Sequence, residues 1–128
     1  MPILPTIKKR ADFLRAARAQ YKPARGVVLQ ARNRDDDADF RVGFTVTKKV
    51  GNAVIRNRVR RRLREAARIE LAQAARPGFD YVLIGRKATI DRDFKSLCGD
   101  LAYALGKVHM SHNRDQAAGN GESRRQDG

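Results

Sequence analysis

The stretch "FRVGFTVTKKVGNAVIRNRVRRRLREAAR", residues 40–68, changes its period half-way along. Its first part alternates. Val42, Phe44 and Val46 point one way and Arg41, Gly43, Thr45 and Thr47 the other, so this strand has one core face and one face of small polar groups open to a ligand. From Ala53 the spacing becomes helical, with Asn52 placed to cap the first turn. At roughly 100° per residue, Ile55, Val59, Leu63, Ala66 and Ala67 share an arc that can pack on a sheet. Asn57, Arg60, Arg61, Arg64 and Arg68 fall in the adjacent arc, and Arg58 and Arg62 lie on the far flank.

Outward from this stretch, the chain reads helix, strand, strand, helix, strand, helix. "ADFLRAARAQ" (11–20) carries Phe13, Leu14 and Ala17 at helical spacing and stops before Lys22-Pro23. "GVVLQARN" (26–33) reads as a strand, joined to the 40–49 strand by the polar "RDDDAD", so these two are expected to form a hairpin. The long helix is expected to end near Ala75, before Pro77-Gly78. A third strand, "FDYVLIGR" (79–86), and an amphipathic helix, "DRDFKSLCGDLAYALGKV" (91–108), complete an α+β fold. A chain of 128 residues fits one domain with one core. Residues 1–108 are expected to form it. Residues 109–128, "HMSHNRDQAAGNGESRRQDG", have almost nothing to bury and are expected to be a disordered tail.

The 28 Lys and Arg residues against 14 Asp and Glu give a formal charge of +14, which draws a chain to polyanions. The tail's charges cancel, so the whole excess sits on the folded part. No stretch is long and apolar enough to span a membrane, and "MPILPTIKKR" lacks both a hydrophobic signal core and a myristoylation glycine. Cys98 is the single cysteine, so a disulfide framework is impossible within one chain and a cytoplasmic setting is expected. Its apolar helical surroundings read as a buried small residue, not a nucleophile. His109 and His112 lack further ligands for a metal pair, and Asp35, Asp36 and Asp37 read as a turn-forming loop, so no protein metal site is expected.

The arginine run is therefore the strongest functional signal. Eight basic side chains lie between Lys48 and Arg64 before the first acid, Glu65. A merely solvated helix face would mix signs at i,i+4 spacing; this one repels itself, and a polyanionic partner offsets that cost. Arginines outnumber lysines six to two in the run, which favours bidentate phosphate contacts and stacking on exposed bases, as folded RNA offers. No aromatic pair alternates along one strand, unlike the common stacking-sheet RNA modules.

"RVGFTVTKKVGNAVIRNR", in which Arg56-Asn57-Arg58 opens a basic helix after a strand ending in Thr47-Lys48-Lys49, resembles the signature of the bacterial ribonuclease P protein subunit. The resemblance covers about residues 8–107. It implies a small two-layer α/β sandwich similar to some ribosomal-protein domains, with a left-handed βαβ crossover where the right-handed form is the general rule. It also implies a ribonucleoprotein enzyme that hydrolyses one phosphodiester of precursor tRNA, releases the 5′ leader and leaves a 5′-phosphate. The RNA subunit would carry the chemistry and bind most or all of the Mg2+, with no obligate protein partner. Carried over residue by residue, Lys48, Lys49, Asn52, Arg56, Asn57, Arg58, Arg60, Arg61 and Arg64 would dock on the catalytic RNA, joined by Arg68 from the wheel. Phe13, Ala17, Val28, Gln30, Thr45 and Thr47, with Arg86, would line a groove for the single-stranded leader. Ala17 and Gln30 depart from the family's frequent aromatics.

Other readings compete at this point. A ribosomal or assembly protein binding structured RNA shares the composition, and a nucleoid-type DNA-binding protein comes third, weakened by the lack of an intercalating wedge. A free-standing nuclease would need a carboxylate or histidine constellation that the pattern does not offer.

Overall fold

The computed structural model describes residues 4–121, with side chains to Met110. The elements are α1 (Arg10–Ala17), β1 (Gln20–Pro23), β2 (Val27–Asn33), β3 (Arg41–Thr45), α2 (Ala53–Ala74), β4 (Phe79–Gly85), a 3₁₀ turn (Lys87–Thr89) and α3 (Phe94–Gly121). The architecture is α+β, with one more strand than expected. β1 takes the place of the helix's expected last residue and the turn after it, and its Pro23 is tolerable because the strand lies on an edge.

The sheet order is β1-β2-β4-β3. β2 pairs antiparallel with β4 over its whole length, from Val27 opposite Gly85 to Asn33 opposite Phe79, and β3 pairs parallel with β4. The expected β2–β3 hairpin is therefore absent. β4 lies between the two strands, because it is buried along nearly all its length and, but for the ion-paired Asp80, apolar on both faces, the requirement for a central strand. The loop from Arg34 bonds to the start of β4 instead: Arg34 N–H donates to the Gly78 carbonyl (2.7 Å) and Gly78 N–H to the Ala38 carbonyl (2.7 Å). Gly78 has a φ of +81°, and a side chain there would collide with the Asp36 carbonyl.

α2 and α3 cover one sheet face. Val59, Leu63, Ala66, Ala67 and Leu71 of α2 join Leu97, Leu101, Ala104, Leu105 and Val108 of α3 over Val27, Leu29, Ala31, Tyr81 and Leu83. Val42, Val46 and the half-buried Phe44 belong to the same core, as their alternation required. α1 crosses part of the other face, where Phe13 and Ala16 pack with Ile7, Val82 and Ile84. Its seat is tight. A Cβ on Gly43 would lie 2.4 Å from the Phe13 ring.

His109, expected in the tail, is buried in this core. Its Nε2 lies 2.9 Å from the Tyr81 hydroxyl and its ring meets Phe79 edge-on. Burial pushes the Tyr81 hydroxyl up to about 12, so it stays protonated. The hydroxyl oxygen also accepts the Arg76 N–H at 3.0 Å, so Tyr81 links the approach to β4 with α3 through His109. The side chain of His112 and residues 122–128 lie outside the described residues.

At one end of the sheet the α1 face is closed by charge. Asp80, with no exposed surface, accepts from Arg34 at 2.6 Å and from Arg41 at 2.8 Å to each oxygen, with Arg32 at 3.5 Å. Asp12 of α1 faces Arg15, Arg32 and Arg41 at 3.0, 3.7 and 3.4 Å. Burial works against the Asp80 charge, but the hydrogen bonds from Arg41 and Arg34 outweigh it and hold the carboxyl below the usual range. A depressed folded-state value means stabilisation that is complete above the unfolded value, about 3.9, and lost as pH falls through the folded one. Asp80→Asn is accordingly expected to cost about 3–5 kcal/mol at neutral pH by leaving arginines unpaired. In urea titrations repeated from pH 7 downward, the gap between wild type and variant should narrow below the ordinary aspartate range; a constant gap would contradict this account.

Candidate nucleic-acid interface

β3 delivers the chain into a turn closed by Val50 N–H on the Thr47 carbonyl (3.1 Å), leaving Thr47, Lys48 and Lys49 exposed just before α2. Asn52 caps the helix as expected, its Oδ1 accepting from Ile55 N–H at 3.0 Å. The first turn of α2 contains no acid, so the positive end of the helix dipole adds to Lys48 and Lys49. Such an end favours phosphate.

Along α2 the arginines separate by what they touch. Arg60 donates to Asn57 Oδ1 at 3.0 Å, which holds the amide and the guanidinium together on the surface. The Arg64 guanidinium lies 5.5 Å from the Phe44 ring centroid. Arg61, Lys48 and Lys49 have no hydrogen bond or ion pair with another described residue. Together with Asn57, these cations form the unneutralised stripe.

Other members of the expected set are engaged within the protein. Half-buried Arg56 donates from Nε to the Gly51 carbonyl at 3.2 Å, bracing the turn before the helix. Arg58 points to the opposite flank, its Nε on the Ile90 carbonyl at 3.3 Å, next to Arg62, which holds the Thr89 and Arg92 carbonyls and lies near the Phe94 ring. Arg68 forms a two-point pair with Glu65 and holds that carboxyl below its usual range, so it adds little net charge to the stripe. Arg58 and Arg68 thus stand apart from Arg60, Arg61 and Arg64.

Of the expected groove residues, Val28, Gln30 and Thr45 lie on the sheet face that α1 crosses, whereas Thr47 is in the turn before α2 and Arg86 follows β4. Cross-strand register aligns Thr45, Ile84, Val28 and Pro23 in one row, and Gly43, Val82, Gln30 and Tyr21 in the next. Phe13 borders this face from α1, while Ala17 is exposed at the helix end. Val28 is buried, so it belongs to the floor and offers little contact surface, whereas Gln30 and Thr45 are half-exposed. Arg86 is exposed and pairs with no acid among the described residues; its Nη1 donates to the Ala24 carbonyl at 2.6 Å.

The two surfaces meet. A pocket of about 450 Å³ is lined by Phe13 and Thr45 from the groove, Arg60 from α2, and Lys8, Arg10, Phe44 and Val46. Lys8 and Arg10 escaped the sequence reading, although the "KKR" before α1 was the available signal. Tyr21 escaped it too, because β1 was not recognised.

Among the described residues no group of three or more His, Cys, Asp or Glu converges to hold a metal ion. Asp36 is engaged by Arg34, whose hydrogen bonds lower its carboxyl against a smaller burial effect. The donor set does not fit a catalytic metal held by protein. Nor does Cys98 suit nucleophilic work: burial, then the charges of Glu70 and Glu65, push its thiol up.

A family model for ribonuclease P matches residues 1–109. The chain belongs to the ribonuclease P protein family. It is 56% identical over 106 residues to the ribonuclease P protein component of Ruegeria pomeroyi, covering 80% of this chain and 85% of the relative. The Caulobacter vibrioides component is 47% identical over 123 residues, covering 95% and 80%. The RNase P protein of Staphylococcus aureus superposes with a TM-score of 0.67 at 30% identity, over 80% of this chain and 94% of that one. That of Thermotoga maritima gives 0.67 at 28%, over 80% and 96%. The ribonuclease P protein is thus an RNA-binding component of a tRNA-processing endoribonuclease whose catalysis is carried by RNA.

The partition of the arginines predicts opposite phenotypes on neighbouring residues. Arg62→Ala should lower the urea-unfolding stability by about 1.5–3 kcal/mol through lost charge-assisted hydrogen bonds. Arg61→Ala should leave stability unchanged or slightly raised, weaken RNA binding, and reduce the slope of log affinity against log salt by roughly 0.7–0.9. Equal effects of the two variants on stability and on salt slope would contradict the assignment.

Proposed function

We propose that this chain is the protein subunit of a bacterial ribonuclease P holoenzyme, docking on the catalytic RNA through the N-terminal half of α2 and holding the 5′ leader of precursor tRNA in the groove beside α1. The observation that carries this reading is the pocket shared by Arg60, Lys8, Arg10, Phe13 and Thr45. One continuous surface there joins the cationic helix to the sheet face beside α1.

The protein's contribution is differential binding. A leader in the groove strengthens the complex with precursor and not with mature tRNA, so the binding energy acts on substrate alone. Magnesium held by the RNA subunit would supply the hydrolytic chemistry, and the side chains of this chain would bind and position the two RNAs. The cations of α2 replace counterions between two polyanions, which lowers the magnesium the particle needs. Lys48, Lys49 and Asn52, with the dipole of α2, hold phosphate at the helix start. Among the described residues no helix is long and apolar enough to cross a membrane. The cytoplasm remains the proposed setting, on the single cysteine of the chain.

The test is precursor-tRNA cleavage by a bacterial ribonuclease P RNA at low magnesium. Wild-type protein should restore a single cut at the mature 5′ end, and Arg60→Ala/Arg64→Ala should need more magnesium for the same rate. A wild-type protein that gives no stimulation with a matched RNA would overturn the reading.

A further inference from the structure

One side chain on the cationic part of α2 gives the free fold little. Val54 is 76% exposed, more than any other large apolar side chain among the described residues. It is the second residue of α2, whose first turn contains no acid. A β-branched residue supports a helix less well than alanine, and a glutamate there would meet the positive end of the helix dipole. Val54 does neither, and its methyl groups face water.

Its neighbours on the helix surface are all polar. At roughly 100° per residue Val54 lies between Arg58 on one side and Asn57 on the other, with Arg61 two turns on and nearly in line. Asn57 Oδ1 accepts from Arg60 at 3.0 Å. A guanidinium can only donate, so the Asn57 amide nitrogen is turned away from Arg60 and offers two N–H donors. Arg58 commits Nε to the Ile90 carbonyl at 3.3 Å, and its two Nη groups bond to no other described residue. Such a fork is held in place from behind and open in front. An apolar centre inside a polar and charged rim is the anatomy of a contact patch.

The rim is complementary to phosphate, and the centre narrows the choice of RNA surface. A duplex presents phosphates, 2′-hydroxyls and base edges, while its base faces are stacked on one another. An aliphatic side chain meets an apolar base face where a base has left the stack, and the phosphates on either side of that base then come within reach of the rim. We propose that Val54 is the centre of a subsite on α2 for one unstacked base of the catalytic RNA. The base face lies on the valine methyls, its edge accepts from the Asn57 amide, and Arg58 and Arg61 hold the flanking phosphates. This rests on the reading that α2 docks on that RNA. It assigns to Val54 the part of the affinity that releases no counterions.

The experiment measures the affinity of the full chain for a matched ribonuclease P RNA, without tRNA, over a series of salt concentrations at fixed magnesium. Wild type, Val54→Ala, Val54→Thr and Val54→Ile are compared, with urea unfolding of each. Val54→Ala should bind about tenfold more weakly at every salt concentration, with the wild-type slope of log affinity against log salt. Val54→Thr, of nearly the same shape but carrying a hydroxyl, should also bind more weakly, and Val54→Ile should keep wild-type affinity. Neither weak binder should be less stable than wild type. Chemical probing of the RNA should show one base protected by wild type and released by Val54→Ala. Undiminished affinity of Val54→Ala, a changed salt slope, a matching loss of stability or the absence of such a base overturns the subsite and leaves α2 docking in place. A wild type that does not bind the RNA overturns both.

Discussion

Asp80 carries a full charge at a place with no exposed surface, on the central strand of the sheet, and such a charge persists only where it is paired and hydrogen-bonded. Its partners set the geometry of everything around it. Arg34 brings the loop that replaces a hairpin, Arg41 brings edge strand β3, and Arg32 links the cluster to Asp12 of α1. The angle at which α1 crosses the sheet follows from this anchor together with the contact of Phe13 on Gly43. The groove wall is therefore positioned by a buried ion network at one end and by a missing side chain at its middle.

The same network explains how a chain of charge +14 keeps its cations apart by role. Asp12, Asp36 and Asp80 take arginines at one end of the sheet, Asp100 takes Arg92, and Glu65 takes Arg68. Arg60, Arg61 and Arg64, with Lys48 and Lys49, meet no acid among the described residues. Their mutual repulsion costs stability in the free protein and is relieved when phosphate arrives, so the free energy of self-repulsion becomes affinity for RNA. The core beneath α2 offsets that cost.

α2 and the faces of β3 were legible because a strict period over many residues, opened for the helix by an Asn cap, leaves little choice of structure. The strand order was not legible: adjacency suggested a hairpin, while the decisive signal was that "FDYVLIG" is, but for Asp80, apolar on both faces and so must lie centrally. β1 has four residues and a proline, too few to show a period, and Tyr21 was lost with it. For the site, the wheel gave the direction of each arginine and not its partner. It placed Arg68 on the stripe although Glu65, three residues earlier, neutralises it, and motif matching kept Arg58, whose carbonyl partner Ile90 is distant in sequence. Facing was readable at Val28, and depth was not. His109 looked like tail because its partners, Phe79 and Tyr81, are remote along the chain.

The central claim is that helix and groove form one surface that distinguishes a tRNA with a leader from one without. The most direct measurement compares equilibrium affinities for precursor and mature tRNA, with the catalytic RNA alone and with the protein added, at fixed salt and magnesium. The account predicts that the protein raises the precursor-to-mature ratio by at least about tenfold, the scale of one or two stacking and phosphate contacts. An unchanged ratio, with both affinities rising by the same factor, would mean that the protein acts only as a counterion for the RNA and would contradict the account.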